Sequence, residues 1–232
     1  MQHLLTSHPD VTIFGQEPPC FTWGDVLLSG VRGVEFAEES NQTLAYDVPH
    51  YTAPPEQRDV AEKLFFAFRW YLTGGRNVNR WGVKSLTQCR IAADVLYEFW
   101  PETKWIVAIR DPFKNLVSLR NTFDPELRVS AETLATWWVD AVSFAYTHPA
   151  ALPVHVDRLS TQSQRHCFAE ELLRFIDVES CPDVLGFVDE WPVIHKVISD
   201  DKRRYILDPD DREQMLSNPE FGAWLERLGY EN

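Results

Sequence analysis

Short runs dense in apolar residues recur along the chain, and most lead into a longer stretch whose apolar positions return every three or four residues. The first rhythm is that of a buried strand, the second that of a helix with one face turned inward. "VTIF" (11–14), "NVNRWGVK" (77–84), "KWIVAI" (104–109) and "PVHV" (153–156) are the predicted strands. "MQHLLTS" before the first of them reads as the tail of a helix. "EQRDVAEKLFFAFRWYLTGG" (56–75) predicts a helix stopped at Gly74 and Gly75, and its aromatic run Phe65, Phe66, Phe68, Trp70 and Tyr71 predicts packing against a core. Further helices are predicted over 85–100, 113–123, 130–148 with Ser130 as N-cap, and 160–178. Residues 208–230 predict helical segments punctuated by Pro209 and Pro219 and stopped at Gly229.

Strands alternating with helices of this length imply crossover connections and a mainly parallel sheet flanked by helices, a three-layer α/β domain over residues 1–232. In such sheets ligands sit at the carboxyl ends of the strands. Residues 18–60, rich in Pro, Gly and acid, predict loops and short helices of the kind that contact substrates.

Composition narrows the function. The 232 residues are 44% hydrophobic and 25% charged, as in soluble globular chains. No apolar run is long enough for a membrane span, so the expected location is the cytoplasm. A net charge of −13 opposes nucleic-acid binding, since a phosphate backbone is held by many cations at once. Cys20, Cys89, Cys167 and Cys181 form no CxxC pair, and the seven histidines show no metal-ligand spacing. Buried or half-buried free thiols and no metal are therefore expected. His8 is expected to be structural in its turn, and His155 a satisfied core residue.

The candidate chemistry lies in "WIVAIRDPFKNLVSL" (105–119). Arg110 follows a strand, and Ser118 stands near the second turn of the next helix. A guanidinium fork, a hydroxyl and a helix N-terminus together suit a phosphate. The plainer alternative pairs Arg110 with Asp111 or another acid and leaves Ser118 as a small packing residue.

"LLTSHPDVTIFGQEP" (4–18), "WGVKS" (81–85), "FWPETKWIVAIRDPFKNLVSL" (99–119) and "VHVDRLS" (154–160), in this order and spacing, resemble the sulfotransferases that use 3′-phosphoadenosine 5′-phosphosulfate (PAPS). The ending "WLERLGY" is similar to that of bacterial and tyrosyl-protein-type members. The resemblance implies a P-loop-NTPase-like sulfotransferase fold with PAPS as cosubstrate and no metal. It implies that Arg110 and Ser118 bind the 3′-phosphate, that Lys202 and Arg203 close over it, and that Lys84 stabilises charge on the sulfuryl group or leaving phosphate. Glu17 would take the proton from a hydroxyl or amine acceptor, which would be a small molecule, a carbohydrate or a peptide. Residues 20–75 match least and would form the variable acceptor and lid region.

The family's first strand and its P-x-S-G-T-T phosphosulfate loop have no counterpart, so the chain is expected to be shortened at its N-terminus relative to the family. A homodimer in which a second copy supplies the strand is one expected arrangement. The alternative function is a catalytically inactive module of the same fold that binds the nucleotide or a partner. A nucleoside-triphosphate-dependent kinase is disfavoured because no Walker-type lysine loop is present.

Overall fold

The computed structural model describes residues 2–14, 57–75, 80–83, 93–122, 129–190 and 206–230. They fall into two compact units, Met1–Thr103 and Lys104–Asn232. In the first unit, α1 (Gln2–Thr6) leads into β1 (Val11–Phe14), then α2 (Gln57–Thr73), β2 (Arg80–Val83) and α3 (Ala93–Phe99). β1 and β2 pair in parallel, with Ile13 opposite Gly82. A Cβ at Gly82 would lie 2.8 Å from the Ile13 Cδ1 atom, so a larger residue there would have to turn the end of that side chain aside. Leu4, Leu5, Val11, Ala61, Phe68, Ala93 and Leu96 are buried. His8 is structural as expected: it is buried, and its Nδ1 accepts the Asp10 N–H at 3.1 Å.

The double-glycine stop of α2 is realised, with both Gly74 and Gly75 at positive φ. Its aromatic run is divided by helical geometry. Phe68 is buried and Phe65 stacks on Trp100 at 4.2 Å, but Phe66 and Trp70, one turn apart, are 67% and 63% exposed. Packing against a core therefore describes only part of that run.

In the second unit β3 (Trp105–Ile109) pairs in parallel with β4 (Ala151–His155), placing Ile109 opposite His155. Two helices, α4 (Pro112–Thr122) and α5 (Ala131–Thr147), make the crossover between them. Ser130 caps α5, its side chain accepting the Thr133 N–H at 3.1 Å. The buried positions of α5, Ala131, Leu134, Ala135, Trp138, Val139, Val142 and Ala145, make one continuous stripe.

That stripe joins Ile109, Phe113 and Leu116 and the inner faces of α8 (Pro209–Leu216) and α9 (Pro219–Leu228) in the core of the unit. Asn218 caps α9; Pro219 occupies its first turn and Gly229 ends it in the left-handed region, as the sequence predicts for these two. Arg120 on α4 and Asp211 on α8 are linked at 3.5 Å. A 3-10 turn, Val156–Arg158, follows β4, and α6 (Gln162–Phe175) starts with a Thr161–Gln164 capping box. The sequence reading has no counterpart for α7 (Pro182–Asp189), which buries Val184 and Val188.

The fold is thus α/β with parallel pairing. Among the described residues it forms two separate two-stranded sheets, one in each unit, rather than one continuous sheet. No helix among these residues is long and apolar enough to cross a membrane. Cys167 departs from the expectation for the thiols: it is exposed, whereas Cys181 is half-buried.

Candidate functional site

The carboxyl ends of β3 and β4 lie side by side, and the chain emerges from each carrying charge. Ile109 is buried, but the next residue, Arg110, stands outside the core with its side chain 43% exposed. Its backbone is fixed from below, because the Trp138 indole N–H of α5 donates to the Arg110 carbonyl at 2.9 Å. Since that indole belongs to the core, the position of Arg110 is set by packing.

Asp111 is the cap of α4. Its Oδ1 accepts the N–H groups of Phe113 (2.9 Å) and Lys114 (3.2 Å), and Pro112 takes the first helical position, where its missing N–H costs nothing. The Asp111 Oδ2 atom lies 3.2 Å from Lys114 Nζ. Along α4, Pro112, Phe113 and Leu116 are buried, whereas Lys114 and Ser118, one turn apart, are exposed on the opposite side. A helix N-terminus, a cation and a hydroxyl therefore follow directly after the Arg110 strand end.

The acid beside Arg110 is Asp157 on the turn after β4. One carboxylate oxygen lies 3.9 Å from Arg110 Nε, and the other accepts the Asp111 backbone N–H at 2.6 Å. The sequence offered Asp111 as the nearest acid, but that side chain is turned to its own helix. At 3.9 Å and with the arginine partly in water, the ion pair with Asp157 is loose and of the class worth about 0–1 kcal/mol. The stronger role of Asp157 is as acceptor for the turn that presents Arg110.

Beside this edge stands a polar cluster. His155 Nε2 lies 2.7 Å from the Tyr146 hydroxyl of α5, and its Nδ1 lies 3.4 Å from the hydroxyl of Tyr230, just past the end of α9. Arg158 Nη2 donates to the Leu228 carbonyl at 2.7 Å, tying the turn after β4 to the same helix end. His155 is thus half-buried with both ring nitrogens facing hydroxyls. That fits the expected satisfied histidine, although its partners come from elements that strand periodicity does not reveal.

Two shifted groups in this cluster give stability a pH signature. Burial, followed by the Asp157 charge, pushes the Tyr230 phenol up from 10.0 to about 12. The folded state favours the protonated phenol, so this contribution is complete below pH 10.0 and is lost as the pH rises toward about 12. Burial, then Arg158, lowers His155 from 6.5; the fold favours the neutral ring, and that contribution is present above pH 6.5 and is lost as the pH falls. Thermal unfolding midpoints should therefore fall on both sides, and Tyr230→Phe should flatten the alkaline arm. An unchanged alkaline slope in that variant would assign the loss to another group.

Of the residues singled out in the sequence, Arg110 and Ser118 fall on the second unit as described. Glu17, Lys84, Lys202 and Arg203 lie outside the described residues. Asp157, Trp138 and Lys114 were not anticipated; only the fixed place of "VHVDRLS" after a strand could have pointed to Asp157. No group of three or more metal-ligating side chains occurs among the described residues. A groove of about 440 Å³ between α5 and the α8–α9 joint is lined by Glu132, Asp140 and Glu220, the wrong sign for an anion, and does not include Arg110. Comparison with known protein families and with curated proteins finds no match.

Proposed function

We propose that the chain is a sulfotransferase-like protein that grips the 3′-phosphate of PAPS at Arg110 and Ser118 and transfers its sulfuryl group to a hydroxyl or amine. The supporting observation is the exposed Arg110 at the end of a parallel strand, held at a loose 3.9 Å from Asp157 and followed by the capped start of α4. A phosphate bonded by the guanidinium fork and the Ser118 hydroxyl replaces a weak contact with charge-assisted ones, while the first-turn N–H groups of α4 stay with the Asp111 cap. Lys114, on the same exposed side of α4, is a second cation beside the site, paired with Asp111 at 3.2 Å.

In this reading the P-loop-like sulfotransferase arrangement and the roles of Glu17, Lys84, Lys202 and Arg203 come from the resemblance. Glu17 removes the acceptor proton as the acceptor oxygen or nitrogen bonds to sulfur. The bond from sulfur to the 5′-phosphate oxygen breaks in line, Lys84 meets the charge, and 3′,5′-adenosine bisphosphate leaves. The acceptor is a small molecule, carbohydrate or peptide, and the expected setting is the cytoplasm.

The test is twofold. Calorimetry should show saturable binding of 3′,5′-adenosine bisphosphate, and ³⁵S-labelled PAPS should pass label to members of a panel of phenols, sugars and peptides. Binding without transfer would assign the chain to the inactive nucleotide-binding alternative. Neither binding nor transfer by a folded chain would end the proposal.

A further inference from the structure

We propose that Tyr146, His155 and Tyr230 act as nucleophile, base and orienting group, making the Tyr146 phenol a site of covalent modification by sulfur(VI) electrophiles. The inference stands apart from the nucleotide reading, because it uses none of that site's ligands.

The geometry carries it. The Tyr146 hydroxyl lies 2.7 Å from His155 Nε2, within hydrogen-bond reach, and in the proposed arrangement the phenol O–H donates to that nitrogen. A neutral imidazole then keeps its proton on Nδ1, which faces the Tyr230 oxygen at 3.4 Å. A nucleophile bonded to a base that is itself oriented by a third group is the general arrangement for activating a weak nucleophile. Here the three groups come from α5, β4 and the residue after Gly229, so the arrangement is held by the packing of three elements.

The surrounding charges suit the step. Asp157, on the turn after β4, favours the imidazolium that forms, and Arg158 on the same turn opposes it. The Arg227 guanidinium of α9 lies 5.8 Å from the centre of the Tyr146 ring, where it favours negative charge growing on the phenol. Asp111, on the β3–α4 turn, acts on Tyr230 and helps to keep that phenol protonated. Burial keeps His155 in its neutral, proton-accepting form at neutral pH. Tyr146 as a whole is 39% exposed.

With an arylsulfonyl fluoride the reaction balances simply. The phenol oxygen bonds to sulfur, the sulfur–fluorine bond breaks, fluoride leaves, and the phenolic proton passes to His155 Nε2 and then to water.

The experiment incubates the full chain with an arylsulfonyl fluoride and quantifies labelled peptides by mass spectrometry across pH 5.5 to 9. Tyr97 on α3, 36% exposed, serves as the reference in the same sample. At pH 7 Tyr146 should be labelled faster than Tyr97 by at least about a hundredfold, the lower end of what a positioned base contributes. The Tyr146 rate should level off once His155 is neutral, whereas the Tyr97 rate should rise steadily with pH. His155→Gln should bring the two rates together, and Tyr230→Phe should lower the Tyr146 rate several-fold. Equal labelling of the two tyrosines, or a Tyr146 rate that climbs with pH without a plateau, would overturn the inference. So would an undiminished Tyr146 rate in a His155→Gln variant with the parent's circular dichroism. The wild-type pH profile decides even if that variant does not fold.

Discussion

Arg110→Ala is expected to weaken binding of 3′,5′-adenosine bisphosphate by about a hundredfold, with little change in the stability of the chain. Two hydrogen bonds from a guanidinium to a phosphate, at roughly 1.5 kcal/mol each, sum to about 3 kcal/mol, a little over two factors of ten. The contact given up to make them is small, since an exposed pair at 3.9 Å contributes at most about 1 kcal/mol. Stability should hold because the anchoring contacts of this residue belong to its backbone. The Trp138 indole bonds its carbonyl and the Asp157 carboxylate bonds the next N–H, and neither needs the side chain. Ser118→Ala removes one hydroxyl and should cost about five- to tenfold. Calorimetry on the folded variants measures both, and affinity in Arg110→Ala within a factor of two of the parent would place the phosphate elsewhere.

The largest expected effect on stability is that of Phe221→Ala, about 3–5 kcal/mol. Phe221 is fully buried in α9, with its ring 5.8 Å from that of Phe113 on α4 and 5.2 Å from that of Trp138 on α5, edge-on to both. Truncation would leave a void bounded by two rigid rings that cannot collapse into it. Set against a typical stability of about 5–15 kcal/mol, the loss is a large fraction of the whole. Urea unfolding followed by near-ultraviolet dichroism, which reports aromatic packing, should show a much lower midpoint. A shift equivalent to less than about 1 kcal/mol would mean that α9 is held chiefly by its other buried side chains, Leu225 and Leu228.

Phe221 also bears on the candidate site. It packs against the ring of Trp138, whose indole fixes the Arg110 carbonyl. Loosening α9 should therefore blunt anion binding as well as stability, although Phe221 makes no contact with any ligand.

Local order was written in the sequence. The four strand runs appear as β1 to β4, Ser130 caps α5, Asn218 before Pro219 opens α9, and Gly229 ends it. These features depend on neighbours within about four positions, where side-chain period, capping and proline or glycine geometry act directly. The placing of Arg110 at a strand end is of the same kind. Which acid meets that arginine is not. Asp157 lies 46 residues beyond Asp111 and reaches the turn only because parallel pairing sets Ile109 beside His155. The Trp138 bond to the Arg110 carbonyl spans 28 residues, and the His155–Tyr230 contact spans 75. Strand register and helix packing select such partners from many chemically equivalent residues, and no local pattern encodes that choice. Sequence alone therefore determined the strands, most of the described helices and the placing of Arg110 at a strand end, whereas tertiary structure decided what holds that cation in place. It also assembled the two tyrosines around His155, which the chain keeps far apart.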